Sequence, residues 1–217
     1  MLTRNDATVD DCIDVIDIIS PLPLRHIGFK DVGVDAETLR ELNRRIKAMG
    51  ATSYMEVVST TTEDCLRSAR AAREIGVDRL LGGTEVGAIL DILGGAIAYY
   101  PFAGHPVGHP TRLQGTAEDV ARDCARSGER GCAGVDLLAY RAVDADPLDL
   151  ARAARAATKG YLIVAGSVDS PARIAALATA GADAFTIGTA AFDGSFSPSK
   201  GSLLSQLSDI LAAAQNG

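Results

Sequence analysis

The chain has 217 residues, a length that fits one domain, residues 1–217, with a sizeable core. Its 47% hydrophobic share is spread evenly without a polar low-complexity tract, which excludes a disordered chain. A net charge of −7 and a pI near 4.9, with no basic stripe, argue against nucleic acid and anionic membranes as partners.

In chain order, Met1 to Asp6 reads as a short first strand. Val9 to Ile19 carries apolar residues at helical spacing and is ended by Pro21 and Pro23. Arg25 to Asp31 alternates, with Ile27 and Phe29 on one side and His26, Gly28 and Lys30 on the other. Asp35 caps a helix running to Met49, and Gly50 closes it. Thr52 to Ser59 is the third strand, and Thr61 or Thr62 caps a helix ending at Gly76. Arg79 to Leu81 is a short strand that ends in Gly82-Gly83-Thr84. A compact helix covers Val86 to Leu93, and Ala96 to Phe102 makes a fifth strand. The loop AGHPVGHPTRLQG precedes a helix from Ala117 to about Ser127. Val135 to Tyr140 is the sixth strand and Pro147 to Thr158 the next helix.

The most informative stretch is Tyr161 to Phe192. A strand, Tyr161 to Ala165, breaks into Gly166-Ser167. Ser170-Pro171 then opens a helix that Gly181 stops. A further strand, Ala184 to Ile187, ends in Gly188-Thr189, and Leu203 to Ala214 is the last helix. Eight strands thus alternate with eight helices, which predicts an α/β fold, a single parallel (β/α)8 TIM barrel, over an open doubly wound sheet. In such a barrel, the loops after the seventh and eighth strands form the usual phosphate site, with backbone N–H groups and a helix dipole facing the anion. The alternative is a buried strand pair whose glycines serve only tight turns.

An internal repeat supports the barrel. Gly76-Val-Asp78 through Thr84 aligns without gaps to Gly181-Ala-Asp183 through Thr189, and Gly134-Val-Asp136 falls in the same frame. The alignment puts Asp136 at a strand start, on the stability face, and removes it from the catalytic candidates. It leaves Arg141 at the reactive end. The same comparison sets Ser59-Thr60-Thr61-Thr62 and Gly83-Thr84 against Ser167 and Gly188-Thr189, so a second anion site in the first half is one expectation and ordinary helix caps the other.

From IVAGSV, GADAFTIGTAAF and its overall size, the chain resembles the phosphate-binding (β/α)8 barrels, the group that includes ribulose-phosphate epimerase and the phosphoribosyl isomerases of histidine and tryptophan synthesis. The resemblance covers the fold and identifies no single member. It implies that Gly166, Ser167, Gly188 and Thr189 hold a phosphate. The metal-binding His and Asp set of the ribulose-phosphate epimerases is absent. Ala165 stands where the mannosamine-phosphate epimerases carry an acidic residue, and the Asp-x-Lys decarboxylase signature is missing.

Candidate chemistry lies at the strands' carboxyl ends. Of four lysines only Lys30 falls on a strand, with inward parity. It reads as a Schiff-base nucleophile or acid/base, or alternatively as a solvated lysine neutralised by Asp31. Glu56, inward with Tyr54 and Val58, can take a proton from a carbon beside a carbonyl or serve as the counter-ion of Lys30. Asp6 and Arg4 end the first strand. Asp6 is an acid/base partner or the cap of a helix near Thr8, and Arg4 is a substrate contact. Arg141 can grip an anionic or carbonyl group through its fork, or remain a solvated loop arginine. His105 and His109 share the longest loop, and His105 is a candidate for substrate contact or proton transfer. Prolines exclude a helical His pair there, so no metal is assigned.

Cys12, Cys65, Cys124 and Cys132 lack CxxC spacing and read as reduced packing residues. The segment MLTRNDATVDDC has no apolar signal core, and no uncharged run reaches the roughly 18 residues that span a bilayer, so a cytoplasmic protein is expected. The functional expectation is an isomerase or epimerase of a small phosphorylated sugar or sugar acid, working through an enediolate without a cofactor. A Schiff-base aldolase or lyase using Lys30, and a non-catalytic regulatory barrel that binds a phosphorylated metabolite, are the rivals. Homo-oligomerisation stays open.

Overall fold

A computed structural model describes residues 1–59 and 61–215. They fall into two compact units, Met1–Pro101 and Phe102–Gly217. The first unit opens with a hairpin, β1 (Thr3–Arg4) and β2 (Ala7–Thr8), where the sequence predicts one strand over Met1 to Asp6. Asn5 and Asp6 form its two-residue turn, both left-handed (φ 51° and 62°), as a type I′ turn demands. Helix α1 (Cys12–Ile19) follows, starting later than the apolar spacing from Val9 suggests.

Strands β3 (His26–Lys30), β4 (Thr52–Val57), β5 (Arg79–Gly82) and β6 (Ala98–Tyr100) then form one parallel sheet in sequence order. Helices α2 (Ala36–Ala48), α3 (Thr62–Ile75) and α4 (Val86–Leu93) connect them. Asp35 and Thr61 cap α2 and α3 as expected, each accepting a backbone N–H three residues on, a contact worth about 1 kcal/mol. Gly76 ends α3 in the left-handed conformation at φ 76°. Ile27, Phe29, Met55, Val57 and Leu80 share one sheet face and are buried with Leu39, Leu42, Ile46, Ala69 and Ala72 of the helices. Strand alternation therefore turns Gly28, Lys30, Tyr54, Glu56, Arg79 and Leu81 to the other face.

In the second unit the loop AGHPVGHPTRLQG is not irregular. It folds into an antiparallel hairpin, β7 (His105–Val107) and β8 (Arg112–Gln114). Helix α5 (Ala117–Glu129) starts in a capping box in which Thr116 and Asp119 satisfy each other's backbone N–H. Strands β9 (Gly134–Leu137), β10 (Tyr161–Val164) and β11 (Ala184–Phe185) form a parallel sheet. The sixth strand is shorter than expected, because a 3-10 turn occupies Ala139–Arg141. Helix α6 (Pro147–Ala157) and helix α7 (Pro171–Thr179) carry proline in their first turns behind the caps Asp146 and Ser170. A short helix α8 (Thr189–Phe192), not foreseen, precedes α9 (Leu203–Gln215). Val135, Leu137, Leu162 and Val164 pack with Leu150, Ile174 and Leu177 in one apolar cluster.

The repeat holds for two of its three aspartates. Asp78 and Asp183 each stand just before a strand, and each accepts the backbone N–H of the second residue of the neighbouring strand, Ser53 and Leu162, at 2.8 Å. Asp136 does not match them. It is the third residue of β9, opposite Ile163, fully buried, on the face away from the cluster that holds Val135 and Leu137. In the frame of the repeat β9 begins three residues earlier than β5 and β11, and an odd offset reverses the side-chain direction, so the stability-face assignment of Asp136 is withdrawn. Among the described residues, no helix is long and apolar enough to cross a membrane.

Candidate functional site

Lys30, Asp6 and Glu56 meet. The Lys30 Nζ lies 2.9 Å from Asp6 Oδ1 and 3.2 Å from Glu56 Oε1, and all three side chains are buried. Glu56 reaches the lysine because the register of β3 and β4 pairs them directly. Asp6 reaches it because its left-handed backbone in the hairpin turn aims the carboxylate back across β3. Asp is among the few residues with a side chain that accept this left-handed conformation in a turn. Thr8 fixes the lysine's main chain. Its Oγ accepts the Lys30 N–H at 2.9 Å and donates to the Lys30 carbonyl at 2.8 Å.

Asp31 is not the partner of this lysine. It points to the helix side of the sheet, where it accepts the Val58 N–H at 3.1 Å and the Ser68 hydroxyl of α3. Burial pushes its carboxyl above the ordinary range, against the pull of those two hydrogen bonds. Nor is Asp6 a helix cap, since α1 begins at Cys12 behind Asp11. One register step toward the strand starts, Arg79 lies 5.3 Å from the centre of the Tyr54 ring and 5.8 Å from that of Tyr100. The Tyr54 hydroxyl meets His26 Nδ1 at 3.0 Å. Burial and the flanking Arg79 and Arg25 lower the His26 pKa. The sequence reading passed over Arg79, although its parity with Leu81 in RLLG was available.

The expected second anion site in the first unit meets the wrong neighbours. The Ser59 and Thr61 hydroxyls donate to Asp64, and Thr62 donates to Glu85 at 2.9 Å. These hydroxyls are already committed to carboxylates, which repel an anion. Thr60 lies outside the described residues.

In the second unit, the loop after β10 bends through two left-handed residues, Gly166 (φ 76°) and Ser167 (φ 56°). A Cβ on Gly166 would collide with the Nε and Cδ of Arg141. Arg141 also donates from Nη1 to the Thr111 carbonyl at 3.2 Å, so it is a structured arginine laid along this loop rather than a solvated one. Gly188 begins α8, its carbonyl accepting the Ala191 N–H at 2.9 Å. The first N–H groups of a helix have no carbonyl partner within the helix itself. The Gly166 and Gly188 loops follow adjacent strands, since β10 pairs with β11.

No family model matches the sequence, and no curated protein matches it by sequence. Solved structures do match. Orotidine 5'-phosphate decarboxylase from Pyrococcus horikoshii OT3 superposes with a TM-score of 0.69 at 12% identity, over 95% of this chain and 96% of its own. N-(5'-phosphoribosyl)anthranilate isomerase from Pyrococcus furiosus gives 0.62 at 12% identity, over 94% of each chain. A protein provisionally assigned as a deoxyribose-phosphate aldolase, from Coccidioides immitis, gives 0.63 at 10% identity, over 83% of this chain and 76% of that one. This chain has the (β/α)8 TIM-barrel fold.

These three structures are named for phosphorylated substrates; at 10–12% identity the likeness to them is one of fold. Two candidates remain. Arg4 ends β1 with an exposed side chain. His105 begins the β7–β8 hairpin, also exposed, and the hairpin holds it opposite Gln114. Among the described residues, no group of three or more His, Cys, Asp or Glu side chains is arranged to hold a metal ion.

Proposed function

We propose that the protein is an isomerase or epimerase of a small phosphorylated sugar or sugar acid, acting by proton transfer through an enediolate. The observation that carries this reading is Lys30 held between two carboxylates at 2.9 and 3.2 Å. Glu56 takes the proton from the carbon beside the substrate carbonyl, and the C–H electron pair moves onto the carbonyl oxygen. Lys30 donates a hydrogen bond to that oxygen as its charge develops. Delivering a proton to the opposite face of the same carbon completes epimerisation; delivering it to the former carbonyl carbon, while the hydroxyl proton on the first carbon passes to the former carbonyl oxygen, completes isomerisation. Asp6 orients the lysine. A lysine whose protons are bound by two carboxylates suits this role better than imine formation, which needs a neutral amine with its lone pair exposed.

Gly166, Ser167, Gly188 and Thr189 bind the phosphate through backbone N–H groups, with Arg141 as the cation beside them. The neighbours named for phosphorylated substrates support this part of the reading.

The test is a panel of phosphorylated aldoses, ketoses and sugar acids in heavy water, with and without borohydride. Deuterium gained beside the carbonyl, with no adduct, is the expected result. Substrate mass fixed on Lys30 after reduction would replace proton transfer by Schiff-base chemistry. Glu56→Gln should lower turnover by about a hundredfold or more. Full activity in Lys30→Ala would remove both mechanisms and move the chemistry to other residues, whereas a wild type that binds the panel without turning any of it over would be a binding protein.

A further inference from the structure

The loop proposed to hold the phosphate is gripped by a residue outside it. Arg173, on the first turn of α7, donates from Nη1 to the Ser167 carbonyl at 2.6 Å and to Asp169 Oδ2 at 2.7 Å. Its guanidinium carbon stands 4.6 Å from the centre of the Tyr140 ring. Tyr140 belongs to the 3-10 turn after β9, and the next residue, Arg141, lies along Gly166. The two loops are therefore cross-braced: Arg141 from the β9 side reaches Gly166, and Arg173 from the β10 side reaches back over Tyr140.

Ser167 is what the brace holds. With a Cβ and a φ of 56°, it occupies a conformation that ordinary residues leave by relaxing toward negative φ. That relaxation would rotate the peptide planes on either side and turn their N–H groups. The bond from Arg173 to the Ser167 carbonyl opposes it. Arg173 has a second effect, since it pairs the carboxylate of Asp169. Without the arginine, that negative charge would stand uncompensated two residues from Ser167.

Resting on the phosphate assignment above, we infer that Arg173 and Tyr140 are positioning residues that set the protein's affinity for the phosphoryl group without touching it. Arg173 keeps the Gly166-Ser167 backbone pointed and screens Asp169, and the Tyr140 ring keeps Arg173 in place. Ser170 and Pro171 cap and start α7 in their own right, so the brace is not needed to begin the helix.

The experiment measures inorganic phosphate binding to the intact protein by calorimetric titration, alongside melting temperature, for wild type, Arg173→Met, Arg173→Lys and Tyr140→Leu. The expected result is phosphate binding about tenfold weaker in Arg173→Met, because a small misplacement of preorganised donors is enough to lose that much. Arg173→Lys should recover part of it by restoring the charge against Asp169 and one donor, and Tyr140→Leu should fall between. Unchanged phosphate affinity in a folded Arg173→Met or Tyr140→Leu protein, with only a lower melting temperature, would make the brace purely structural and overturn the inference. If Arg173→Met does not fold, the lysine and tyrosine variants decide in the same way. Phosphate that binds neither wild type nor variants would overturn the assignment of the loops themselves, and this inference with it.

Discussion

The loop after β4 and the loop after β10 use similar residues and meet opposite neighbours. In the first unit, the Ser59, Thr61 and Thr62 hydroxyls are answered by the carboxylates of Asp64 and Glu85. In the second, the Gly166-Ser167 backbone is flanked by the guanidinium groups of Arg141 and Arg173. Small residues at a strand end supply only room and hydrogen-bonding groups. The sign of the surrounding side chains decides whether an anion is welcome. The first unit buries its one strand lysine between two carboxylates, Asp6 and Glu56, so that its charge is matched within the protein.

The largest effect that tests this contrast is at Lys30. Lys30→Met leaves two buried carboxylates without their cation, and should cost about 3–5 kcal/mol of stability by urea titration. Adding Asp6→Asn and Glu56→Gln to that variant should restore much of the loss. A single mutant as stable as wild type would mean that the first unit does not depend on buried charge.

Gly166→Ala comes next. A left-handed alanine costs about 1–2 kcal/mol, and the new methyl displaces Arg141. The variant should melt lower and lack the rise in melting temperature expected of the wild type in inorganic phosphate. A retained phosphate shift would detach Arg141 and this loop from anion binding.

Thr61→Ala should cost about 1 kcal/mol through the lost helix cap while leaving phosphate affinity unchanged. Weaker phosphate binding in that variant would erase the contrast between the two loops.

The smallest effect is a pH dependence at Asp31. Burial raises its folded pKa above the ordinary carboxylate value of 3.8. The native state therefore holds this proton more tightly than the unfolded state. The stability it contributes is full below 3.8 and is lost as pH rises through the folded value. The stability difference between wild type and Asp31→Asn, followed by thermal melts from low pH toward neutrality, should move against the wild type as pH rises. A difference that moves the other way would mean that the Ser68 and Val58 hydrogen bonds outweigh burial.

Much of the fold was legible in the sequence because it depends on local rules. Asp35, Thr61 and Ser170 cap helices whose backbone N–H groups need a partner, and Gly76 ends one at a φ that other residues avoid. Strict alternation in RHIGFKD put Lys30 opposite Phe29, and alternation in TSYMEVV put Glu56 on the face of Tyr54. What the sequence left undecided depends on where strands begin and on which distant groups arrive. The Asn5-Asp6 turn looked like the end of a strand, because Asp is a rare choice at the second turn position. Only the hairpin brings that carboxylate to Lys30 and leaves Asp31 to Ser68. The three aspartates of the repeat are identical in sequence frame, yet β9 starts three residues earlier in that frame and buries Asp136 on the other face. The repeat places Arg141 at a strand end, but only packing lays it along Gly166, and Arg173 is an ordinary helix residue until its guanidinium meets the Ser167 carbonyl. Capping and alternation act over a few residues and can be read in line; charge pairing acts through space, so its partners exist only once the chain has folded.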